Sequence, residues 1–563
     1  MYLLGIHIGG HDSAAALVKE GKVLFAIEEE RLARVKHIGG FPLKAIQECL
    51  DHENLKINDI DTICFSFNYP EHVRKKILGH TLKYYPKANN RFLGELDYIK
   101  LALNFEDHIR EKLDYQNKVF FCHHHTAHMA SSYYLSRFQE SALFSIDGVG
   151  DIESSVIGEG LQNEVKIFEK YSINYPDSIG LLYTAITDYL GFIPHCDEGK
   201  VMGLAPYGNS EIYKEHFQDI VYFNDDGMYE FNLDYFEYPF KMRSSISEKF
   251  LSVFGPARKP KSEITRRHKD IAAILQYITE KAMLHTAQHL YKITSSKNLC
   301  LAGGTALNCV ANGRILTKTP FENIFVQPAA NDAGTAIGSA LYCYYSKHGD
   351  NKRHPLNNSY LGTGFSNSVI KSVIEQKKIQ YSENDDLFVA VAKLLSEGKI
   401  VGWFNGRMEF GPRSLGNRSI LCSPFPAEMK DILNSKVKHR EGFRPFAPSV
   451  LLEDCSEYFD NSHESPYMLL TYNVNDKYIE RMPAVTHADK TARVQTVVES
   501  ENPEFFRLIS EYKKITGIGV LLNTSFNVMG QPIVCRPEEA IECFLTTHID
   551  YLVMNAKYIL SKD

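Results

Sequence analysis

Residues Val119 to Ser136 read VFFCHHHTAHMASSYYLS. The apolar run at the start predicts a short strand, and the segment after it predicts a helix carrying His124 and His128. Four residues apart on a helix, the two imidazoles stack on one face, which is the geometry of two ligands to one metal ion. Neutral imidazole suits zinc, iron, copper or nickel. The same spacing also occurs on ordinary core and surface helices, so the pair needs further ligands to count as a site.

Carboxylates stand at comparable strand ends elsewhere. ALFSIDGVGD, Ala142 to Asp151, is an apolar strand followed by Asp147, Gly148, Gly150 and Asp151. Such a carboxylate suits metal or phosphate contact in an α/β sheet, or is simply an Asp-Gly turn. NLCLAGGTALNCVANGRI predicts a strand, Gly303-Gly304, then a helix with Asn308 and Asn312. Glycines before a helix N-terminus let a phosphate approach free N–H groups. A strand over Asn323–Val326 leads into a helix of small residues, with Asp332 before it and Gly334 in its first turn. Asp332 is read as a ligand or as a helix N-cap.

The chain opens with a strand, Leu3 to Ile8, then Gly9, Gly10, His11, Asp12 and Ser13. AAALVKEGKVLFAIEEE follows as strand, Glu20-Gly21 turn and strand. Sugar kinases and actin-like ATPases begin in a similar way. A helix is expected from about Pro42 to Leu50, a loop over Asp197–Gly208, and a small antiparallel insert over 210–262. From Lys269, Ile271, Ile274, Leu275, Ile278 and Ala282 form the stripe of a core-facing helix. The sequence displays no internal repeat.

Bulk properties bound the function. The chain has 563 residues, 44% hydrophobic and 23% charged, with net charge −7. That length predicts two or three domains. A mildly acidic chain is not built for nucleic acid, and no window is apolar enough to cross a bilayer. The N-terminus reads as a strand rather than a signal peptide. Eleven cysteines without a C-x-x-C pair argue against a disulfide framework, so the expected compartment is the cytoplasm.

Polar residues 346–360 read as a linker, drawn at 351–365 between domains 1–350 and 366–563. In the second domain a helix is expected near Asp385–Glu397 and a strand over Ile400–Asn405. This domain concentrates cations: Arg407, Arg413 and Arg418, then Lys436, Lys438, His439, Arg440 and Arg444. They are interleaved with Gly, Pro and aromatic residues rather than paired with acids along a helix face. Guanidinium forks match phosphate and carboxylate geometry, so the cluster implies a small polyanionic ligand. Asn523, Thr524 and Ser525 follow an apolar strand and offer amide and hydroxyl groups to such a pocket.

A series of blocks then runs in one order over nearly the whole chain. It comprises HDSAAALV, EEERLARVKH, HHHTAHMASS, SIDGVGD, EGKVMGLAPYG, LAGGTALN, NDAGTAIG, EFGPRSLGNRSI, FRPFAPSV, HADKTARVQTV and LNTSFNVMGQPIV. The series resembles the O-carbamoyltransferases of antibiotic, toxin and nodulation-factor pathways, the NodU/CmcH type. The resemblance implies an α/β fold: an N-terminal actin-like ATPase (ribonuclease H-like) domain of two lobes and a C-terminal YrdC-like domain. It implies that carbamoyl phosphate and ATP, with Mg, form a carbamoyl adenylate in the C-terminal domain. The carbamoyl group then passes to a hydroxyl of a small molecule in the metal-containing N-terminal domain. Carried over by residue, the metal ligands are His124, His128, Asp147 and Asp332, holding Fe(II) or else Mn or Zn. Gly148, Gly303, Gly304, Asn308 and Gly334 lie along the nucleotide. Arg413, Lys438, Arg444, Asn523 and Ser525 bind carbamoyl phosphate. His11 is the base, with His7 open as the alternative because related chains often carry a small polar residue there. A tRNA threonylcarbamoyl-type transferase and a sugar kinase are the alternatives of the same fold. No nucleic acid or membrane partner is expected, and a homodimer is the default for a soluble enzyme.

Overall fold

A computed structural model describes residues 1–242, 244–348, 352–384 and 386–562. Its contacts divide the chain into two units. The first comprises Met1–Ala26 and His37–Leu356; the second comprises Ile27–Lys36 and Asn357–Asp563. The expected junction at 350/351 lies outside the described residues, as does Asp385 at the start of an expected helix.

The first unit contains two sheets built alike. In one, β1 (Tyr2–His7), β2 (Ala14–Lys19) and β3 (Lys22–Glu28) form a meander, with β4 (Thr62–Phe65) and β5 (Lys118–Phe121) added beyond β1 in the order β3-β2-β1-β4-β5. β1 runs antiparallel to β2 and parallel to β4, and β4 is parallel to β5. In the other, β6 (Glu140–Ile146), β7 (Glu153–Leu161) and β8 (Glu164–Ile167) form an antiparallel meander. The parallel strands Asn298–Ala302 and Asn323–Val326 extend it on the β6 side. Strand order and sense therefore repeat, although the sequence displays no repeat: topology is kept while side chains diverge. This duplicated α/β unit is the actin-like ATPase fold.

Two helices carry site residues. His124–Tyr133 follows β5 and is buried throughout. Ala333–His348 follows Asn323–Val326 and packs against both β1 and His124–Tyr133. Glycines permit this approach: a Cβ on Gly5 would lie 1.8 Å from the Ala336 carbonyl oxygen, and one on Gly338 would lie 1.8 Å from that of Ala127. The long helix is Arg266–Thr294, and its Ile271, Ile274, Leu275, Ile278 and Ala282 stripe is buried. Leu43–His52 forms the helix expected near Pro42, and Val221–Phe223 pairs with Tyr229–Phe231 inside the expected insert. The stretch expected as a loop at 197–208 instead contains a helix, Glu198–Leu204. Its glycines suggested a turn, but burial of Val201 and Leu204 holds it helical.

The second unit is a mixed α/β structure around one ten-stranded sheet. The strands run, in spatial order, Tyr381–Glu383, Tyr558–Ser561, Tyr551–Met554, Val401–Phe404, Arg418–Cys422, Val520–Ser525, Ala447–Leu451, Thr491–Val497, Leu470–Val474 and Phe459–Asp460. Helices Leu387–Ser396 and Pro503–Thr516 pack Leu395, Leu508 and Tyr512 with Trp403 and Leu421 in its core. The early segment Ile27–Lys36 belongs to this unit through specific contacts. Arg31 pairs with Glu28 at 3.2 Å and Glu30 at 2.8 Å and donates to the Gly411 carbonyl at 2.9 Å. Gly411 N–H donates back to Glu28 at 2.9 Å, and Arg34 donates to the carbonyls of Ile533 and Pro532.

Candidate active site and metal centre

His124, His128, Asp147 and Asp332 converge in the first unit: one ligand atom from each lies within 4.8 Å of all the others. His124 Nε2 is 3.1 Å from His128 Nε2, 3.3 Å from Asp147 and 3.5 Å from Asp332. His128 Nε2 is 3.5 Å from Asp332 and 3.8 Å from Asp147. Bonds of about 2.1 Å to a transition metal give ligand–ligand edges of roughly 3.0–3.4 Å. The two shortest separations match these edges, and the other three exceed them by a few tenths of an ångström, a difference that a bound ion would draw in. Both imidazoles and Asp147 are buried and Asp332 is half-buried, and two carboxylates facing each other in such surroundings need a compensating charge. Mixed nitrogen and oxygen donors favour Fe, Mn or Zn over Mg or Ca.

Local structure fixes each ligand. The Asp151 carboxylate accepts the backbone N–H groups of His124 and Asn68, each at 2.8 Å, and so holds the start of the histidine helix. His124 Nδ1 lies 3.1 Å from the Ser66 carbonyl, which selects the tautomer with Nε2 as donor to a metal. Asp147 also accepts the Gly304 N–H at 2.7 Å through its other oxygen. Burial would raise the Asp147 carboxyl, and Asp332 adds to that, yet the neighbouring histidines hold it below the usual range.

The two candidate bases occupy different surroundings. His7 is buried, with Nδ1 at 2.9 Å from Ser66 Oγ and 3.2 Å from Thr335 Oγ1, and with Nε2 3.3 Å from Asp332. It is an outer partner of Asp332. His11 has a side chain 34% exposed and hydrogen-bonds Asp12 through Nδ1. Of the glycines expected along a nucleotide, Gly303 adopts φ 97° beneath Gly304, and Gly148 follows Asp147. Gly334 is packed so that a Cβ would fall 2.1 Å from the Ala329 carbonyl oxygen. Asn308 caps its helix by accepting the Ala311 N–H through Oδ1, and its side-chain amide exchanges two hydrogen bonds with that of Gln276. Its side chain is thereby committed to structure.

In the second unit Lys438 is buried, and its ammonium donates to the Ser525 and Asn527 carbonyls and to Asn527 Oδ1. Asn523 is held by Ser449 and Gln495 at 3.0 Å each. Burial lowers the Lys438 ammonium and the Arg440 guanidinium well below their ordinary values; Arg444 lowers both further, and Arg493 adds to Arg440. A bound anion would relieve this crowding of cations. Arg493, on strand Thr491–Val497, and Arg440 join Arg444 there. Arg493 was hidden in sequence because it is one cation in an alternating strand. Arg418, by contrast, is fully buried and donates to the carbonyls of Asn405, Asn417, Thr363 and Gly406, and Arg407 donates to those of Gly362 and Leu361. Both are struts of the fold.

Family comparison agrees in extent. Residues 2–341 match the carbamoyltransferase N-terminus model and residues 392–562 the carbamoyltransferase C-terminus model. The chain belongs to the carbamoyltransferase family. Among its relatives is nodulation protein NolNO of Sinorhizobium fredii, 37% identical over 98% of this chain and 79% of that protein. Nodulation protein NolO of Bradyrhizobium diazoefficiens is 40% identical over 77% of each chain. The 3'-hydroxymethylcephem-O-carbamoyltransferase of Streptomyces clavuligerus is 36% identical over 43% of this chain and 45% of the relative. Among the described residues no helix is long and apolar enough to cross a membrane.

Proposed function

We propose that this carbamoyltransferase acts on a hydroxyl of a small molecule. Its second unit, read as YrdC-like, makes a carbamoyl adenylate: water cleaves carbamoyl phosphate to carbamate and phosphate, and the carbamate oxygen then bonds to the α-phosphorus of Mg-ATP as pyrophosphate leaves. Its first unit transfers the carbamoyl group. The observation carrying the proposal is the convergence of His124, His128, Asp147 and Asp332. These four would hold iron(II), or manganese or zinc, which when bound supplies Lewis-acid stabilisation of developing negative charge.

The chain's own groups do the rest. Arg413, Lys438, Arg444, Asn523 and Ser525, with Arg440 and Arg493 added, neutralise and orient the phosphates. Gly148, Gly303, Gly304 and Gly334 are assigned to the nucleotide's surroundings, where the Gly304 N–H holds Asp147 and Gly334 lets its helix start close against Ala329. An alcohol is a weak nucleophile at neutral pH, and His11 accepts its proton, an effect typically of about 10²–10⁴-fold.

Incubation of a panel of hydroxylated natural products with ATP, carbamoyl phosphate and metal-loaded protein tests the proposal. Mass spectrometry distinguishes a gained carbamoyl group from a gained phosphate, the mark of a kinase. His128→Ala should keep pyrophosphate release and lose transfer. Equal loss of both would overturn the assignment of the two steps to different sites.

A further inference from the structure

Asp12 is shared by two imidazoles. One carboxylate oxygen lies 3.1 Å from His11 Nδ1 and the other 2.6 Å from His37 Nδ1. An ionised carboxylate only accepts, so each ring must present Nδ1–H to it. Neutral His11 is thereby held with its lone pair on Nε2. The opposite side of the His11 ring stacks on His195, with centroids 5.2 Å apart at 25°. The backbone N–H of His195 is in turn fixed by Glu198 at 2.7 Å.

The backbone is strained to make this arrangement. Asp12 and His37 both adopt left-handed conformations, φ 55° and 51°. Their loops are laced by Gly40 N–H to Gly9 carbonyl at 3.0 Å, Ser13 N–H to Ile38 carbonyl at 3.1 Å, and Ser13 Oγ to Gly40 carbonyl at 2.6 Å. A Cβ on Gly39 would lie 2.4 Å from the Gly10 carbonyl oxygen. Strain at two residues whose side chains meet on one carboxylate marks a placement maintained by its surroundings.

We propose that Asp12, braced by His37, is the positioning residue that turns His11 so that Nε2 receives the proton of the acceptor hydroxyl. This rests on the carbamoyl-transfer reading with His11 as base. In the step, the acceptor O–H bond breaks and its proton passes to Nε2, while the oxygen forms a bond to the carbamoyl carbon. The bond from that carbon to the adenylate oxygen breaks, and AMP leaves with the electron pair. Asp12 stabilises the resulting imidazolium. Besides Asp12 and His37, the charged or titratable groups around His11 are His195, with Glu198 behind it, and Asp332 and Asp147 across the site. Burial lowers the His11 pKa, but Asp12, Asp332 and Asp147 outweigh it and push it up to about 9.

The test uses the full chain loaded with diamagnetic zinc. Nitrogen-15 imidazole NMR, with His11 assigned by subtracting the H11A spectrum, should report the Nδ1–H tautomer in the wild type and a mixed population in Asp12→Asn. With glycerol at molar concentration as the surrogate alcohol, Asp12→Asn should lower transfer kcat by on the order of 10²-fold with little change in KM, and shift its pH profile downward. It should leave pyrophosphate release intact. His37→Gln should give a smaller loss in the same direction. In an H11A background, Asp12→Asn should add no more than about twofold, because coupled residues are not additive. An unchanged His11 tautomer in Asp12→Asn, or the same penalty with and without His11, would overturn the proposal. If the wild type releases pyrophosphate yet carbamoylates neither glycerol nor any acceptor, the transfer reading fails, and the tautomer measurement still decides whether Asp12 sets the His11 ring.

Discussion

Gly338→Ala is a sharp test of how the candidate metal centre is assembled. Gly338 lies in the helix that begins immediately after Asp332, and it meets Ala127, which sits between His124 and His128. The added methyl carbon would stand 1.8 Å from the Ala127 carbonyl oxygen and 3.0 Å from Ser131 Cβ. The obstructing atom is backbone, so no rotamer relieves it, and the two helices must separate by about 1 Å or more. Overpacking of this kind costs about 1–3 kcal/mol. Alanine's better helix propensity returns no more than about 1 kcal/mol, so net destabilisation is expected. The same separation draws Asp332 away from both histidines, and metal sites tolerate only about 0.2 Å in ligand distance. Two measurements follow: denaturant unfolding of the variant, and zinc or iron content after equilibrium dialysis. The expected outcome is a net loss of stability, together with at least tenfold weaker metal retention. A variant with wild-type stability and full metal content would refute the close helix approach and the role assigned to it.

Other outcomes are equally specific. The His11 pKa is raised to about 9 from 6.5, so its contribution to stability is complete below pH 6.5 and is lost as pH rises through about 9; urea midpoints for wild type and H11A should converge over that interval. Since only the neutral ring accepts a proton, transfer kcat/KM of the metal-loaded enzyme should rise with pH. The rise should fall over a lower range than in the metal-free protein, because a cation held by Asp147 and Asp332 offsets their charge on His11. A flat profile would remove His11 from the rate-determining step. Arg493→Ala should weaken carbamoyl phosphate binding by about 1.5–3 kcal/mol, roughly 10–150-fold in KM for pyrophosphate release, without unfolding the protein. Arg418→Met should instead destabilise the second unit by about 3 kcal/mol, because it strips donors from the buried carbonyls of Asn405, Asn417 and Thr363; its signature is loss of folded protein rather than a raised KM. Removing metal with a chelator should abolish transfer while pyrophosphate release continues.

Local features were readable in the chain itself. The i, i+4 histidines, the Asp-Gly turn at 147, the Gly303-Gly304 turn and the stripe on Arg266–Thr294 each follow from periodicity or turn chemistry within a few residues. What was not readable depends on distant partners. Arg418 looks like any arginine in a basic Gly-rich stretch until four carbonyls enclose it. Arg493 becomes part of a cationic cluster only when its strand joins the sheet beside Ala447–Leu451. The bond between Asp12 and His37 spans 25 residues of sequence and two left-handed backbone positions that no pattern announces. The repeated sheet order leaves no mark in the sequence because pairing topology survives substitutions that erase sequence likeness.

The ten-residue stretch Ile27–Lys36 has a practical consequence for dissecting the enzyme. Cutting the gene near codon 356 would deprive the downstream fragment of Glu28, Arg31 and Arg34, leaving Gly411 N–H and the Pro532 and Ile533 carbonyls without the groups that satisfy them. The adenylate-forming step proposed for the second unit is therefore best isolated by point substitutions in the intact polypeptide, or by a fragment into which that early peptide has been spliced.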